Sequence, residues 1–237
     1  MQAIQRADSI AALRELAKRR IPRPIFDFID GGADEEITLA RNLSDFRRVE
    51  LAPRVLRDVA DTRTTEALVT RMAQDAGGLD AVVTAAGIDH PAPLNGLTGE
   101  DWEHIVRVNL FGTVATVRAA LPFLVETHGR VVTIASSLAL RALGDATAYC
   151  ASKFGVLGFS RALAAETKGR IGVTTVFPAG MDTGFFAGRP EEYKPAADAQ
   201  LIDPASVADA IVFALTRPVG VEMRELVMCP EEEPSWP

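Results

Sequence analysis

Four short apolar segments alternate with helical segments along most of this 237-residue chain. The strand-like segments fall at residues 80–84, 130–135, 171–177 and 225–229. Between them, "TTEALVTRMAQDAG" has a helical pattern that ends at Gly77, and Asp203 and Pro204 are suited to cap and start a later helix. Strands that are apolar on both faces and separated by helices are typical of a parallel sheet covered on both sides. The predicted fold class is therefore α/β.

The composition argues against several classes of protein. Apolar residues make up 48% of the chain, enough for a core, and the net charge of −7 argues against nucleic acid as a partner. No uninterrupted apolar run approaches the roughly 20 residues that span a bilayer, so no membrane partner is expected. Cys150 and Cys229 are too few for a disulfide framework and favour the cytoplasm. The three histidines share no metal-ligand spacing, so we expect no metal site.

Tyr149 and Lys153, in "YCASK", lie one turn apart on the same face of a predicted helix. A lysine cation beside a phenol stabilises the phenolate, so we expect Lys153 to lower the pKa of Tyr149 towards working pH. Ser136 follows the strand "VVTIA" and could hold a substrate oxygen, while Asn109 is predicted to begin another helix and to anchor a proton relay towards Lys153. Each residue alone could be a helix cap or part of a surface pair. Together they predict a proton-transfer site at the carboxyl ends of the strands.

The segments "VVTAAGI", "RVNLFG", "VVTIASS", "YCASK" and "VFPAGMDT" occur in the order found in short-chain dehydrogenases/reductases, which the chain resembles from about residue 58 onwards. The resemblance implies a Rossmann-like fold and hydride transfer between NAD or NADP and a carbonyl or secondary alcohol. It implies a catalytic set in which Tyr149 is the acid/base, Ser136 positions the substrate oxygen, and Lys153 contacts the nicotinamide ribose, with Asn109 completing the tetrad. The implied cofactor contacts are Asp58, Val59, Ala85, Ala86, Gly87, Tyr149, Lys153, Pro178, Gly180 and Thr183.

The family's glycine-rich phosphate loop has no counterpart in the sequence upstream of residue 58. The early segment "FIDGGADEEITL" contains Gly31 and Gly32, but acidic residues follow them. Carboxylates at a helix N-terminus stabilise the helix and repel phosphate, so we interpret the two glycines as a turn between helices. The residue that distinguishes NAD from NADP follows the family's second strand, which has no counterpart either, so the sequence leaves this choice open.

Residues 8–60 resemble instead the N-terminal part of the FMN-dependent 2-hydroxy-acid dehydrogenases, where this region forms helices that precede a TIM barrel. The flavin site of that family belongs to the barrel, and its substrate-contacting tyrosine is replaced by Phe28, so FMN is not expected as a cofactor. We interpret the chain as a chimera. A helical segment, residues 1–57, replaces the first βαβαβ portion, and a domain over 58–237 has a truncated parallel sheet of about four to five strands. Residues 49–57 are predicted to add a strand beside residues 80–84.

Two functional hypotheses follow. The first is an oxidoreductase that acts on a small-molecule substrate, and the second is a catalytically inactive remnant that serves as a folded oligomeric scaffold. In the resembled family, the helices that start near Asn109 and Ala148 form the usual dimer surface, so the resemblance also implies a homo-oligomer.

Overall fold

The computed structural model describes residues 17–20, which are helical, and residues 58–232. The chain divides into two compact units, Met1–Val55 and Leu56–Pro237. The second unit holds the predicted sheet. Apart from residues 17–20, the helical segment predicted for residues 1–57 and the strand predicted at residues 49–57 lie outside the described residues.

A four-stranded parallel sheet runs through the second unit in the order β1-β2-β3-β4. The strands are β1 (Ala81–Thr84), β2 (Arg130–Ile134), β3 (Gly172–Pro178) and β4 (Glu225–Met228). In register, Val82 lies opposite Val131, and Val131 lies opposite Val173. Branched side chains of this kind suit the pleated surface of a half-buried or buried strand. The four predicted strands and the α/β class are confirmed.

Within residues 58–232, helices cover the sheet on both faces. They are α1 (Thr62–Ala76), α2 (Gly99–Val106), α3 (Gly112–Thr127), α4 (Thr147–Glu166) and α5 (Pro204–Leu215). On β2, Val131 packs with residues of α1, α3 and α4, whereas its neighbour Val132 packs with Val207 of α5. Successive residues of a strand point to opposite faces, so the two buried valines mark the two layers of the core.

Local sequence explains where several helices begin and end. The Asp61 side chain accepts a hydrogen bond from the Thr64 N–H at the start of α1, and Gly77 ends this helix with a left-handed φ of 77°. At α5, the Asp203 side chain accepts a hydrogen bond from the Ala205 N–H, and Pro204 occupies the first turn. These are the boundaries that the sequence predicts, and they rest on the usual cap chemistry.

The prediction that Asn109 begins a helix is wrong. A π-helical turn, Arg107–Phe111, joins α2 to α3, so Asn109 lies inside one continuous helical stretch. Its side chain is fully buried and hydrogen-bonds the backbone of Ile88. A π turn widens the helix by one residue and is common at functional sites. Here it coincides with the point where the helix turns a polar side chain inwards.

Helix α3 ends at Thr127, and the residue that follows it is not a glycine. His128 takes the left-handed conformation, with φ of 54°, and its N–H donates to the carbonyl of Leu124. Gly129 is needed for space instead of for the turn. A Cβ added there would lie 2.6 Å from the Asp80 carbonyl oxygen and 2.7 Å from Leu124 Cδ2. Glycine is therefore required for the close approach of α3 to the start of β1.

The helical stretch Gly99–Thr127 is long and apolar enough to cross a membrane by length and composition, which the sequence analysis did not anticipate. Its residues Val117, Ala120 and Leu124 are almost completely buried in the core beside Val131 of β2. A buried helix of an α/β domain has the same apolar character as a membrane span. In this structure one side of the stretch packs in the core, and 44% of its apolar window is buried.

Candidate active site

The loops that follow β1, β2 and β3, together with the start of α4, enclose a cavity of about 850 Å³. It lies at the carboxyl ends of the strands, where parallel α/β sheets bind ligands. Ser136, Tyr149 and Lys153 all line it. Of the other predicted contacts, those in the cavity wall are Ala85, Gly87, Pro178, Gly180 and Thr183.

Ser136 and Tyr149 lie beside each other in the wall of this cavity. Ser136 directly follows β2 and has an extended backbone, and its Oγ accepts a hydrogen bond of 3.1 Å from the Leu138 N–H. A side-chain hydrogen bond joins Ser136 to Tyr149 in the first turn of α4. Both side chains are buried. The two hydroxyls therefore stand together, as positioning a substrate oxygen requires.

Lys153 lies one turn further along α4 and is also buried. Its Nζ donates a hydrogen bond of 2.9 Å to the carbonyl of Ile134, the last residue of β2. It lies 5.6 Å from the centroid of the Tyr149 ring. Burial lowers the pKa of Lys153 to about 8, because the interior disfavours the charged form.

The structure contradicts the expectation that Lys153 lowers the pKa of Tyr149. Burial raises the pKa of Tyr149 to about 12, and the negative charge of Asp89 adds to this increase. The hydrogen bond from Ser136 and the positive charge of Arg189 act in the opposite direction but do not offset burial. The sequence placed the lysine correctly near the phenol, but it carried no information on how completely the phenol is removed from water.

Asn109 links the loop after β1 to α4 through hydrogen bonds. Its Oδ1 accepts from the Ile88 N–H at 2.8 Å, and its Nδ2 donates to the Ile88 carbonyl at 2.9 Å and to Ser152 Oγ at 3.0 Å. The Ser152 hydroxyl in turn donates to the Tyr149 carbonyl at 2.7 Å. Asn109 does not line the cavity. The backbone group that it anchors is that of Ile88, and the predicted relay to Lys153 stays a prediction.

Gly87 lies between Asn109 and Lys153. A Cβ added to it would lie 3.4 Å from Lys153 Nζ and 3.5 Å from Asn109 Oδ1. Any larger residue would therefore narrow the space beside the lysine ammonium. Gly180 is also constrained, since a Cβ there would lie 2.9 Å from Leu201 Cδ2. These two glycines leave free space on the cavity wall that a flat ligand could use.

Three of the predicted cofactor contacts lie away from the cavity wall. The Asp58 carboxylate accepts a hydrogen bond of 2.9 Å from the Ala60 N–H. Val59 packs against α3, where a Cβ added to Gly112 would lie 2.9 Å from Val59 Cγ2. Ala86 is exposed. For these three residues the cofactor contact stays a prediction.

The structure adds a group of residues that the sequence analysis missed. Arg189 Nη2 and Asp89 Oδ2 form an ion pair at 2.8 Å, and both side chains are largely buried. The Arg189 guanidinium lies 4.9 Å and 4.7 Å from the ring centroids of Phe185 and Phe186. Asp89 and Arg189 are separated by 100 residues, and a single sequence contains no signal that would pair them.

Among residues 17–20 and 58–232, the structure shows no group of three or more histidine, cysteine or acidic residues placed to hold a metal ion.

A substitution at Lys153 tests whether burial of its positive charge destabilises the fold. The folded-state pKa of about 8 lies below the ordinary value of 10.5, so burying the ammonium destabilises the fold fully below pH 8 and progressively less as the pH rises to 10.5. We expect Lys153→Met to raise the free energy of unfolding by about 2 kcal/mol at neutral pH. Chemical denaturation across this pH range should show the gain shrinking at alkaline pH.

The matched control is Lys168→Met, which removes an exposed lysine in the turn just after α4. It should leave stability nearly unchanged, without a pH-dependent difference. A Lys153→Met protein that is less stable than the wild type at every pH would show that the ammonium is well compensated in the fold.

Comparison with known proteins agrees with the fold and the motifs. A family model described as short chain dehydrogenase matches residues 35–194. An uncharacterized oxidoreductase of Staphylococcus aureus strain MW2 is 31% identical over 175 residues, which cover 73% of this chain and 74% of the relative.

Two solved structures have a similar fold. An alcohol dehydrogenase from the archaeon Thermococcus sibiricus, complexed with 5-hydroxy-NADP, gives a TM-score of 0.66 at 24% identity, over 72% of this chain and 71% of that one. A metagenomic short-chain oxidoreductase in complex with NADP gives a TM-score of 0.62 at 22% identity, over 74% of this chain and 72% of that one.

The family match spans more than half of the chain and contains the loop after β1, Ser136, Tyr149 and Lys153. It begins upstream of residue 58, where the sequence motifs placed the start of the resemblance. Motifs, parallel sheet and relatives agree, and the chain belongs to the short-chain dehydrogenase family.

Proposed function

We propose that this protein is an oxidoreductase that uses NAD or NADP to interconvert a carbonyl group and a secondary alcohol. The observation that carries the proposal is the group formed by Ser136, Tyr149 and Lys153, which meet in one cavity at the carboxyl ends of the strands. The NADP-type ligands bound to the two structural relatives support a nicotinamide cofactor in general and leave the choice between NAD and NADP open.

The residues around Lys153 fit such a cofactor. An ammonium group has three donors, and Lys153 uses one of them on the Ile134 carbonyl, so it can offer others to ribose hydroxyls. Gly87 leaves space beside the ammonium. Pro178, Gly180 and Thr183 line the wall where the nicotinamide ring would lie. When bound, the nicotinamide supplies or accepts the hydride.

The protein's own residues would handle the proton. The Ser136 hydroxyl orients the substrate oxygen. The Tyr149 hydroxyl donates a proton to that oxygen during reduction, and the Tyr149 phenolate accepts one from it during oxidation. Because the pKa of Tyr149 is raised to about 12, its neutral form dominates, which favours its role as a proton donor. Alcohol oxidation needs the phenolate and should become faster as pH rises.

We propose that the substrate is an uncharged carbonyl compound with apolar substituents. Beyond the reacting group, the wall of the cavity includes the apolar side chains of Leu138, Leu143, Phe185 and Phe186. Arg189, which also lines this wall, is already paired with Asp89. A substrate carboxylate that paired with Arg189 would break that buried pair, which is costly because it would leave Asp89 without its cation.

We also propose that residues 8–60 descend from the N-terminal region of an FMN-dependent dehydrogenase. The support is the sequence likeness alone, and it overlaps the family match, which begins at residue 35. FMN is not proposed as a cofactor, because the likeness does not extend to the barrel that binds it. Purified protein that carries stoichiometric flavin absorbance would contradict this view.

The cytoplasmic location stays a prediction.

The central test of the proposed function is turnover by Tyr149→Phe, which keeps the ring and removes the hydroxyl. We expect the rate of NADH- or NADPH-dependent carbonyl reduction to fall by roughly 10²–10⁴-fold, the usual contribution of a positioned acid. The matched control is Tyr193→Phe, which removes the hydroxyl of the chain's second tyrosine. Its rate should stay within roughly tenfold of the wild type, since the Tyr193 hydroxyl bonds Asp145 rather than Ser136.

Wild-type protein that oxidises neither NADH nor NADPH with any of a panel of aldehydes and ketones would favour the alternative of an inactive scaffold. A Tyr149→Phe variant as active as the wild type would exclude Tyr149 as the acid.

We propose further that the protein forms a homo-oligomer through α3 and α4. Phe111, next to α3, is 46% exposed, and Phe154 on α4 is 44% exposed, so both present large apolar side chains at the predicted surface. Phe154→Glu should reduce the mass measured by light scattering towards that of a single chain. Leu94→Glu, which alters another exposed apolar residue outside these helices, should leave it unchanged. A wild-type protein that is monomeric would refute this proposal.

A further inference from the structure

The ion pair between Asp89 and Arg189 joins two of the loops that form the cavity. Asp89 lies in the loop after β1, and Arg189 lies in the segment after β3. Their side chains are only 5% and 13% exposed, respectively, and the charged atoms are 2.8 Å apart. An ion pair with so little exposure to solvent is weakly screened. Its charges therefore act on neighbouring groups much more strongly than surface charges do.

The pair is connected to Tyr149 through a layer of aromatic rings. The Arg189 guanidinium lies over the rings of Phe185 and Phe186, and these two rings meet edge to face with centroids 5.4 Å apart. The Phe185 ring in turn lies 5.9 Å from the Tyr149 ring at an angle of 54°. Arg189 therefore holds Phe185 against the phenol that the proposed function uses.

We propose that Asp89 and Arg189 are positioning residues that hold Phe185 against Tyr149 and balance the charge around its hydroxyl. The proposal deepens the proposed function and rests on it for the role of Tyr149. Neither residue is assigned to the reaction by the family motifs. Their part would be to keep the environment of the phenol dry and close to neutral.

Groups from several elements change the pKa of Tyr149, and the ion pair is one contribution among them. Lys153 and Cys150 lie on its own helix, α4, and Ser136 follows β2 and hydrogen-bonds the phenol. From the loop after β1, Asp89 raises the pKa of Tyr149, and from the segment after β3, Arg189 lowers it. The two members of the pair thus act on the phenol with opposite signs.

Because the two charges have opposite effects, removing each one should shift the pKa of Tyr149 in a different direction. Loss of structure would not produce this pattern. Removing the charge of Asp89 leaves the Arg189 cation uncompensated, which favours the phenolate. Removing Arg189 leaves the Asp89 carboxylate, which disfavours the phenolate. Burial raises the pKa of the Asp89 carboxyl, but the positive charge of Arg189 lowers it, and the carboxylate is the anionic partner of the ion pair.

The chain has only two tyrosines, which makes a direct measurement possible. With Tyr193→Phe in every protein, Tyr149 is the single source of tyrosinate absorbance. We would titrate this parent, Asp89→Asn, Arg189→Met and the double variant to alkaline pH, without cofactor or substrate. Circular dichroism at each pH would limit the comparison to conditions in which all the proteins remain folded.

We expect Asp89→Asn to move the ionisation of Tyr149 to lower pH by roughly half a pH unit or more, and Arg189→Met to move it to higher pH. The double variant, which loses both charges, should lie close to the parent. An unchanged or raised midpoint in Asp89→Asn, or a shift in the same direction in both single variants, would overturn the proposal. If Arg189→Met does not fold, the sign in Asp89→Asn, which keeps the size of the side chain, still decides the question.

A second readout uses the reaction. In Asp89→Asn the rise of alcohol oxidation with pH should begin at lower pH than in the wild type, by a similar shift, and an unshifted profile would count against the proposal. Absence of turnover in the wild type would refute the proposed function instead. The titration of Tyr149 does not depend on turnover, so the two failures are distinguishable.

Discussion

The burial of the Lys153 ammonium at the end of β2 is the constraint on which the site depends. An isolated charge in a protein interior is unfavourable unless it is hydrogen-bonded or can give up its proton. Lys153 has the Ile134 carbonyl as its acceptor, and its pKa falls to about 8. The fold therefore tolerates a destabilising group in the wall of the cavity. Such a cost is typical of a functional site rather than of a core position.

The surrounding structure keeps this lysine and Tyr149 in place. Asn109 ties Ile88 to α4 through Ser152, and the π turn allows its side chain to point inwards. These hydrogen bonds fix the distance between the loop after β1 and the helix that carries both Tyr149 and Lys153. Gly87 can then pass close to the ammonium without filling the space beside it. Asn109 thus serves the site through backbone geometry, whatever its part in proton transfer.

Much of the fold follows from local chemistry that a single sequence displays. The apolar strands, the end of α1 at Gly77 and the cap at Asp203 are each explained by residues within a few positions. The group of Ser136, Tyr149 and Lys153 was likewise visible, because one residue follows a strand end, the other two lie one helical turn apart, and ligands bind at the carboxyl ends of parallel strands.

The features that were missed depend on tertiary environment. His128 rather than Gly129 takes the left-handed turn, since Gly129 is needed where α3 approaches Asp80. The pKa of Tyr149 rises instead of falling because burial removes the phenol from water. The pairing of Asp89 with Arg189 spans 100 residues and depends on how the loops after β1 and β3 meet. None of these follows from periodicity or spacing.

We propose that the buried lysine and the cavity beside it bind a nicotinamide cofactor, although the sequence has no recognisable glycine-rich phosphate loop. Calorimetric titration of the full chain with NADH and with NADPH tests this claim most directly. We predict saturable binding of at least one of the two, weakened roughly tenfold or more in Lys153→Met because charge-assisted hydrogen bonds to the ribose are lost. The absence of saturable heat with either cofactor at millimolar concentrations would contradict the account.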